Sequence, residues 1–362
     1  MHSCAPLEPD IRPVPKVLAA KTKTESVAMA LTVTLACGTY DRVRALHDGS
    51  VGIAAATVVP VAIESEDLFP RVVSRADFDI TEMSLSSYLV EVSRGAGAYT
   101  AIPVFLSRGF RHSGIYVRAD AGITAPKDLE GRPVGIPEYQ MTFGLWVRGI
   151  LHDQYGVDTD ALRYRTAGTN RAGRVERLPL ELPPSMDVQP LGIERTLNEA
   201  LLAGDIDAIL SPSPPLAFTA GDPNVARLFP DAQREERAYF ERYGFFPIMH
   251  VVGIRKELVA QHPGLAAATF AAFTEAKRRA YVKLDHMMRS AVSYIGMPWI
   301  ENAWADVLAL MGPDFWSYGV PANREQLEAI CRYSTEQHLA RHPLRIEDLF
   351  VPSTLSLTEA GA

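Results

Sequence analysis

Basic charge is in short supply in this chain. Its 362 residues carry 36 lysines and arginines against 43 aspartates and glutamates, a formal net charge of -7. A nucleic-acid partner would require a basic face, so that class of function is set aside. Cysteine is scarcer still: Cys4, Cys37 and Cys331 are odd in number and lack CxxC spacing. That argues against a disulfide framework or a zinc site and favours buried thiols. Apart from the stretch from Val27 to Cys37, no apolar run approaches the length that spans a bilayer. The sequence also has no nucleophile elbow, P-loop, HExxH or GxGxxG with its acidic partner.

What is present describes a soluble two-lobed protein. Hydrophobic residues make up 47% and charged residues 22% of a chain long enough for two lobes of ordinary size. Residues 1–28 are rich in Pro, Lys and Thr and read as a disordered, dispensable extension, with Met29 an alternative start. Lys21 and Lys23 before Val27 to Cys37 imitate a signal peptide. Glu8, Asp10, the four early prolines and Thr34 oppose that reading. The alternation Leu31-Thr32-Val33-Thr34-Leu35 fits a first β-strand, and the chain is expected to stay in the cytoplasm.

From there strands and helices alternate. Strands are expected at 31–37, 56–62, 78–80 and 101–106, with helices near 40–48, 66–75 and 84–95. A second series has strands at 114–118, 133–136 and 208–210, helices at 142–155 and 193–203, and a proline-rich surface loop over 174–190. Helices near 264–289, 299–311 and 323–340 follow. The βαβα rhythm predicts a mainly parallel sheet with helices on both faces. A chain that leaves one lobe, builds another and returns has the plan of a hinged binding protein. The expected boundaries are an extension at 1–28, one lobe from 29–112 and 246–350, a second from 113–245, and a tail at 351–362.

Two histidine segments mark the expected crossings between lobes: Arg111-His112-Ser113 and Pro247-Ile248-Met249-His250. Residues on crossings line the cleft, and histidine titrates near neutral pH, so His112 and His250 are candidates for acid–base chemistry on one ligand. The bland alternative for His250 is a packed histidine on an apolar strand. Arg111 beside His112 is a candidate carboxylate clamp, and Arg108 a weaker one, because guanidinium groups grip carboxylates bidentately. Three strand-to-helix junctions are rich in hydroxyls: one at Thr39, one at Ser84, Ser86 and Ser87, and one at Tyr139, Gln140 and Thr142. Any one of them is equally well a helix cap, but three at one sheet edge favour an anion-binding cleft. Ser113 and Ser211 complete the binding candidates.

The segments Leu35-Ala36-Cys37-Gly38-Thr39-Tyr40-Asp41-Arg42, Glu82-Met83-Ser84-Leu85-Ser86-Ser87-Tyr88, Arg108-Gly109-Phe110-Arg111-His112-Ser113, Gly135-Ile136-Pro137-Glu138-Tyr139-Gln140-Met141-Thr142 and Phe246-Pro247-Ile248-Met249-His250 occur in this order. In them, over about Leu31 to Leu349, the sequence resembles the 4,5-dihydroxyphthalate decarboxylase family, relatives of type 2 periplasmic binding proteins. The 28-residue extension and Phe143-Gly144 depart from that pattern, the latter at a place that bears on ring specificity.

The resemblance implies an α/β, two-lobed type 2 periplasmic-binding-protein-like fold with a hinged cleft. The implied reaction removes one carboxylate from 4,5-dihydroxyphthalate, or a similar hydroxylated aromatic dicarboxylate, without cofactor or metal. Arg111 and the hydroxyl-rich junctions would clamp the dianion. His112 and His250 would supply proton donor and base, in an order left open, with Glu82 or Glu138 able to replace either. The implied partner is the small substrate, with no nucleic acid and no membrane; self-association stays open. The rival readings are a solute-binding protein for a small aromatic carboxylate and a same-fold enzyme with another substrate.

Overall fold

Two mixed β-sheets carry the architecture of the computed structural model, which is described here for residues 31–54 and 56–361. The expected extension at 1–28 lies outside those residues. In chain order the strands are β1 (Leu31–Cys37), β2 (Ala56–Ala62), β3 (Ile80–Ser84), β4 (Tyr99–Arg108), β5 (Ile115–Arg118), β6 (Pro133–Ile136), β7 (Arg163–Thr166), β8 (Val188–Pro190), β9 (Ala208–Leu210), β10 (Val225–Arg227) and β11 (Ile248–Arg255). The first sheet has the order β2-β1-β3-β11-β4 and the second β10-β5-β9-β6-β7-β8.

The sheets are less parallel than the βαβα rhythm predicts. β1 runs parallel to β2 and β3, whereas β11 is antiparallel to both β3 and β4. The return path explains this: β11 enters the first sheet from the edge where β1 and β3 end, so it must run against them. The same chain reversal pairs β5 antiparallel with β9 and β10 in the second sheet.

The strands read in the sequence recur with small shifts, β3 two residues later than expected and β4 longer at both ends. β7, β8, β10 and the helix Ala232–Tyr243 had no counterpart in the sequence reading. The three strands have only three or four residues each. The stretch 174–190 is a further correction: it contributes β8, paired with β7, and its first residues turn inward toward the site.

Where the chain passes between sheets, the two crossings are bonded to each other. Gly109 N–H donates to the Pro247 carbonyl at 3.1 Å, and the Phe110 and Phe246 rings lie 4.9 Å apart. From the second series, the helix Thr142–Tyr155 presses onto the start of β11, with Trp146 Nε1 donating to the Ile248 carbonyl at 2.8 Å. Trp146 is fully buried. An aromatic of that size with its single N–H satisfied is a strong anchor between layers.

Candidate functional site

β3 is buried at all five positions although three of them, Thr81, Glu82 and Ser84, are polar. Buried polar groups require partners, and those of Glu82 define the site. The register sets His250 opposite Ser84 and Val252 opposite Glu82, so Glu82 and His250 are diagonal neighbours on one sheet face. Glu82 Oε1 accepts from His250 Nδ1 at 2.7 Å and from the Tyr40 hydroxyl at 2.7 Å, while Oε2 accepts from Gly38 N–H at 3.0 Å.

Burial alone would raise the Glu82 carboxyl. The hydrogen bonds from His250, Gly38 and Tyr40, with the field of His250, outweigh it and hold the group below its ordinary value of 4.5. An ionised carboxylate cannot donate, so His250 carries its proton on Nδ1, which leaves Nε2 the acceptor of the neutral ring. Nε2 then takes a proton when the ring is neutral and gives one when it is cationic. Phe69 packs edge-on against the imidazole at 4.8 Å and limits its rotation.

The two sheets meet at their hydroxyl-rich junctions. Ser84 Oγ and Thr142 Oγ1 are 3.0 Å apart, and the same Thr142 oxygen accepts from Ser86 N–H at 3.0 Å. Arg177 crosses beside them, donating to Ser87 Oγ at 3.3 Å and to Glu138 Oε1 at 2.9 Å, with its guanidinium 5.3 Å from the Phe69 ring centre. Arg174 Nε adds a second donor to Glu138 Oε1 at 2.9 Å. A crevice beside Phe69, Ser84 and Ser87, lined also by Val72 and Tyr88, measures about 10 Å³, at most one water. A larger hollow of about 520 Å³ lies elsewhere, along Arg324, Cys331 and Arg345, and shares no residue with this site.

Arg111 sits at the edge of the same junction. Its guanidinium lies 5.2 Å from the ring centre of Phe143, the residue after Thr142, and its enclosed Nε has no hydrogen-bond acceptor among the described residues. Burial pushes the guanidinium down to about 10, against the opposing pull of Glu236. A half-buried guanidinium that no carboxylate of the described residues meets within salt-bridge distance is suited to an anionic ligand.

His112 is placed differently. It is buried among Tyr155, Phe229 and Tyr239, with ring separations of 6.1, 5.4 and 5.5 Å, and its Nε2 lies 3.1 Å from Gln154 Oε1. The sequence reading set both imidazoles on one ligand; here His112 is committed to an aromatic cage and Gln154 and has no protein contact in common with His250. Burial lowers its pKa, which is the behaviour of a packed neutral ring.

Arg108 is likewise no clamp. Its terminal nitrogens are taken up by the Phe246 and Ser317 carbonyls, Gln326 and Asn323, at 2.6–3.3 Å. Tyr139 is fully buried with its hydroxyl on the Gln337 carbonyl, and the Gln140 amide faces the Arg177–Leu178 backbone. Ser211 is committed to Thr169 and Ser213. Ser113 gives its N–H to Glu236 at 3.1 Å, and Thr39 is exposed. Ser84, Ser86, Ser87 and Thr142 do come together. Tyr40, Phe69, Arg174 and Arg177 were missed. Tyr40 lay inside a quoted motif, but nothing marked the two arginines in a proline-rich stretch. No group of three or more His, Cys, Asp or Glu side chains suited to a metal ion occurs among the described residues.

No protein-family model matches the chain. A 4,5-dihydroxyphthalate decarboxylase from Comamonas testosteroni is 39% identical over 325 residues, covering 90% of this chain and 98% of that protein. Another of the same name from Pseudomonas putida is 39% identical over 203 residues, covering 56% of this chain and 79% of that one. Among solved structures, the alkanesulfonate-binding protein of Xanthomonas axonopodis pv. citri bound to MOPS superimposes with a TM-score of 0.50 at 11% identity, covering 89% of this chain and 97% of that one. The last likeness concerns the fold alone, an α/β architecture of the periplasmic-binding type.

Proposed function

The chain belongs to the 4,5-dihydroxyphthalate decarboxylase family, and from that premise we propose that it removes one carboxylate from 4,5-dihydroxyphthalate, giving 3,4-dihydroxybenzoate and carbon dioxide. The observation that carries the reaction onto these residues is the Glu82–His250 pair, a buried carboxylate orienting an imidazole at the junction of the two sheets.

Each carboxylate of this substrate has a hydroxyl para to it. That oxygen pushes electron density onto the ring carbon bearing the carboxylate. His250 Nε2 delivers a proton to that carbon, the bond to the carboxylate carbon breaks, and its electron pair restores the aromatic ring as carbon dioxide departs. Glu82 keeps the imidazole in one tautomer and stabilises its cationic form before the transfer. Arg111, which forms no salt bridge among the described residues, receives the retained carboxylate.

The reading also covers location. The segment that imitates a signal peptide ends in β1, which is paired on both sides by β2 and β3, with Cys37 buried. Processing at Cys37 would remove that strand, which supports a cytoplasmic protein. Among the described residues no helix is long and apolar enough to cross a membrane.

The test is incubation of the pure protein with 4,5-dihydroxyphthalate and a panel of hydroxylated benzene dicarboxylates, following carbon dioxide and 3,4-dihydroxybenzoate. Release from 4,5-dihydroxyphthalate is expected. Release from another member alone would move the substrate, and release from none would overturn the proposal.

A further inference from the structure

Glu138 holds its two oxygens in unequal surroundings. The residue is 2% exposed. Oε1 accepts from Arg174 Nε at 2.9 Å, Arg174 Nη2 at 2.8 Å and Arg177 Nη2 at 2.9 Å. Oε2 is equally enclosed and has no hydrogen-bond partner among the described residues. A buried carboxylate oxygen without a donor is costly, and its neighbours could have supplied one at little expense. Both arginines are instead spent on the same oxygen, which fixes the carboxylate in place and leaves the other oxygen available.

We propose that Glu138 Oε2 is the acceptor for a ring hydroxyl of the substrate, which makes Glu138 the residue that selects a hydroxylated ring. This rests on the decarboxylase reading above and adds to it the recognition of the hydroxyls. The chemistry excludes the other obvious ligand group, since a carboxylate has no proton to offer and would be repelled by Glu138. The two ends of the substrate are thereby sorted, carboxylate to Arg111 and hydroxyl to Glu138.

The surroundings agree with that placement. Arg177 ties Glu138 to Ser87 in the first turn of the helix Leu85–Ser93. The neighbouring Ser86 Oγ is also buried without a partner, so a second hydroxyl has a group to meet. Phe69 lies 4.8 Å from the His250 ring and 5.3 Å from the Arg177 guanidinium. The proton donor and the arginine that holds Glu138 therefore share one aromatic neighbour. An acceptor on the hydroxyl strengthens its donation to the para carbon, so Glu138 also assists the proton transfer without taking part in a bond-breaking step.

The experiment compares 3,4-dihydroxybenzoate with 3,4-difluorobenzoate, whose fluorines nearly match a hydroxyl in size but cannot donate. Binding of each is measured by calorimetry to the full-length wild type, to Glu138→Gln and to His250→Asn. The wild type is expected to prefer the dihydroxy compound by roughly tenfold to a hundredfold, the range for a hydrogen bond to a charged group. Glu138→Gln should reduce that preference to less than about threefold by weakening the dihydroxy compound alone, and His250→Asn should keep it. If Glu138→Gln does not fold, Glu138→Asp, which retains the charge but withdraws the oxygen, must show the same selective loss. A preference unchanged in the Glu138 variant, or an equal loss for both ligands, would overturn the proposal. A wild type that binds neither compound would instead remove the substrate reading beneath it.

Discussion

His250 and His112 occupy matching places in the chain, one at each passage between the sheets, yet their surroundings differ in every chemical respect. His250 bonds through Nδ1 to a buried carboxylate and lies opposite Ser84, whose hydroxyl meets Thr142 where the two sheets meet. His112 is enclosed by three aromatic rings and a glutamine, and its Nδ1 is left without a partner. A carboxylate partner fixes the tautomer, whereas burial away from water disfavours the charged ring of His112. Chain position brought both histidines to the crossings, and the partner decides what each can do there.

The largest expected effect separates the two rings. His250→Ala should lower turnover by roughly 10²–10⁴-fold, the usual share of a positioned acid or base, while substrate affinity stays within a few-fold. His112→Ala should leave the turnover of the folded fraction near wild type and instead lower stability by about 1–3 kcal/mol, as for other losses of buried packing. Steady-state kinetics and denaturant titration on the same preparations read both quantities.

Glu82→Gln comes next. Its amide cannot stabilise a cationic imidazole, so turnover should drop by roughly tenfold to a hundredfold, a part of the full acid–base contribution. Stability carries a second signature. The folded carboxyl lies below its ordinary 4.5, so its contribution is complete above that value and is lost as pH falls beneath it. The variant should therefore show a shallower acid-unfolding limb than the wild type in melts taken below pH 4.5. An unchanged limb would mean that Glu82 is not ionised in the folded protein.

Arg111→Lys probes the anion end. A point ammonium cannot reproduce the planar fork, and affinity for the substrate or for 3,4-dihydroxybenzoate should weaken by roughly tenfold. Calorimetric binding checks it, and unaltered affinity would remove Arg111 from the site.

The smallest effect is confined to pH. Burial holds His112 below its ordinary 6.5, so the unfolded chain binds the extra proton first and stability declines as pH falls below 6.5. His112→Leu should flatten the part of the stability profile that lies below pH 6.5. A profile unchanged by the substitution would show that the ring titrates freely.

Much of the frame was legible in the sequence because its periods are strong. β1 follows the alternation of Leu31 to Leu35, and β2 and the helix Thr142–Tyr155 fall at the expected residues. The candidate site was less legible. His250, Arg111 and the serines could be named from their junctions, and Glu82 was noted only as a substitute for a histidine. Its role depends on the β3–β11 register, which brings residues 168 positions apart within 2.7 Å. Arg174 and Arg177 lie in a stretch whose prolines indicate a surface loop, and only the tertiary fold reveals that it turns back onto Glu138. Arg108 misled for a related reason. A guanidinium at a crossing fits a ligand clamp as well as it fits four protein acceptors, and the sequence does not show which of these surrounds it.

Chemical rescue tests the difference between the two histidines most directly. Full-length His250→Ala would be mixed with saturating 4,5-dihydroxyphthalate, and single-turnover carbon dioxide release followed with increasing imidazole. Added imidazole should occupy the space beside Glu82 and restore a substantial part of the lost rate, with a pH dependence that follows the added imidazole, while His112→Ala gains nothing. Near-normal turnover of His250→Ala without imidazole, or rescue of His112→Ala in its place, would contradict the assignment of the proton to His250.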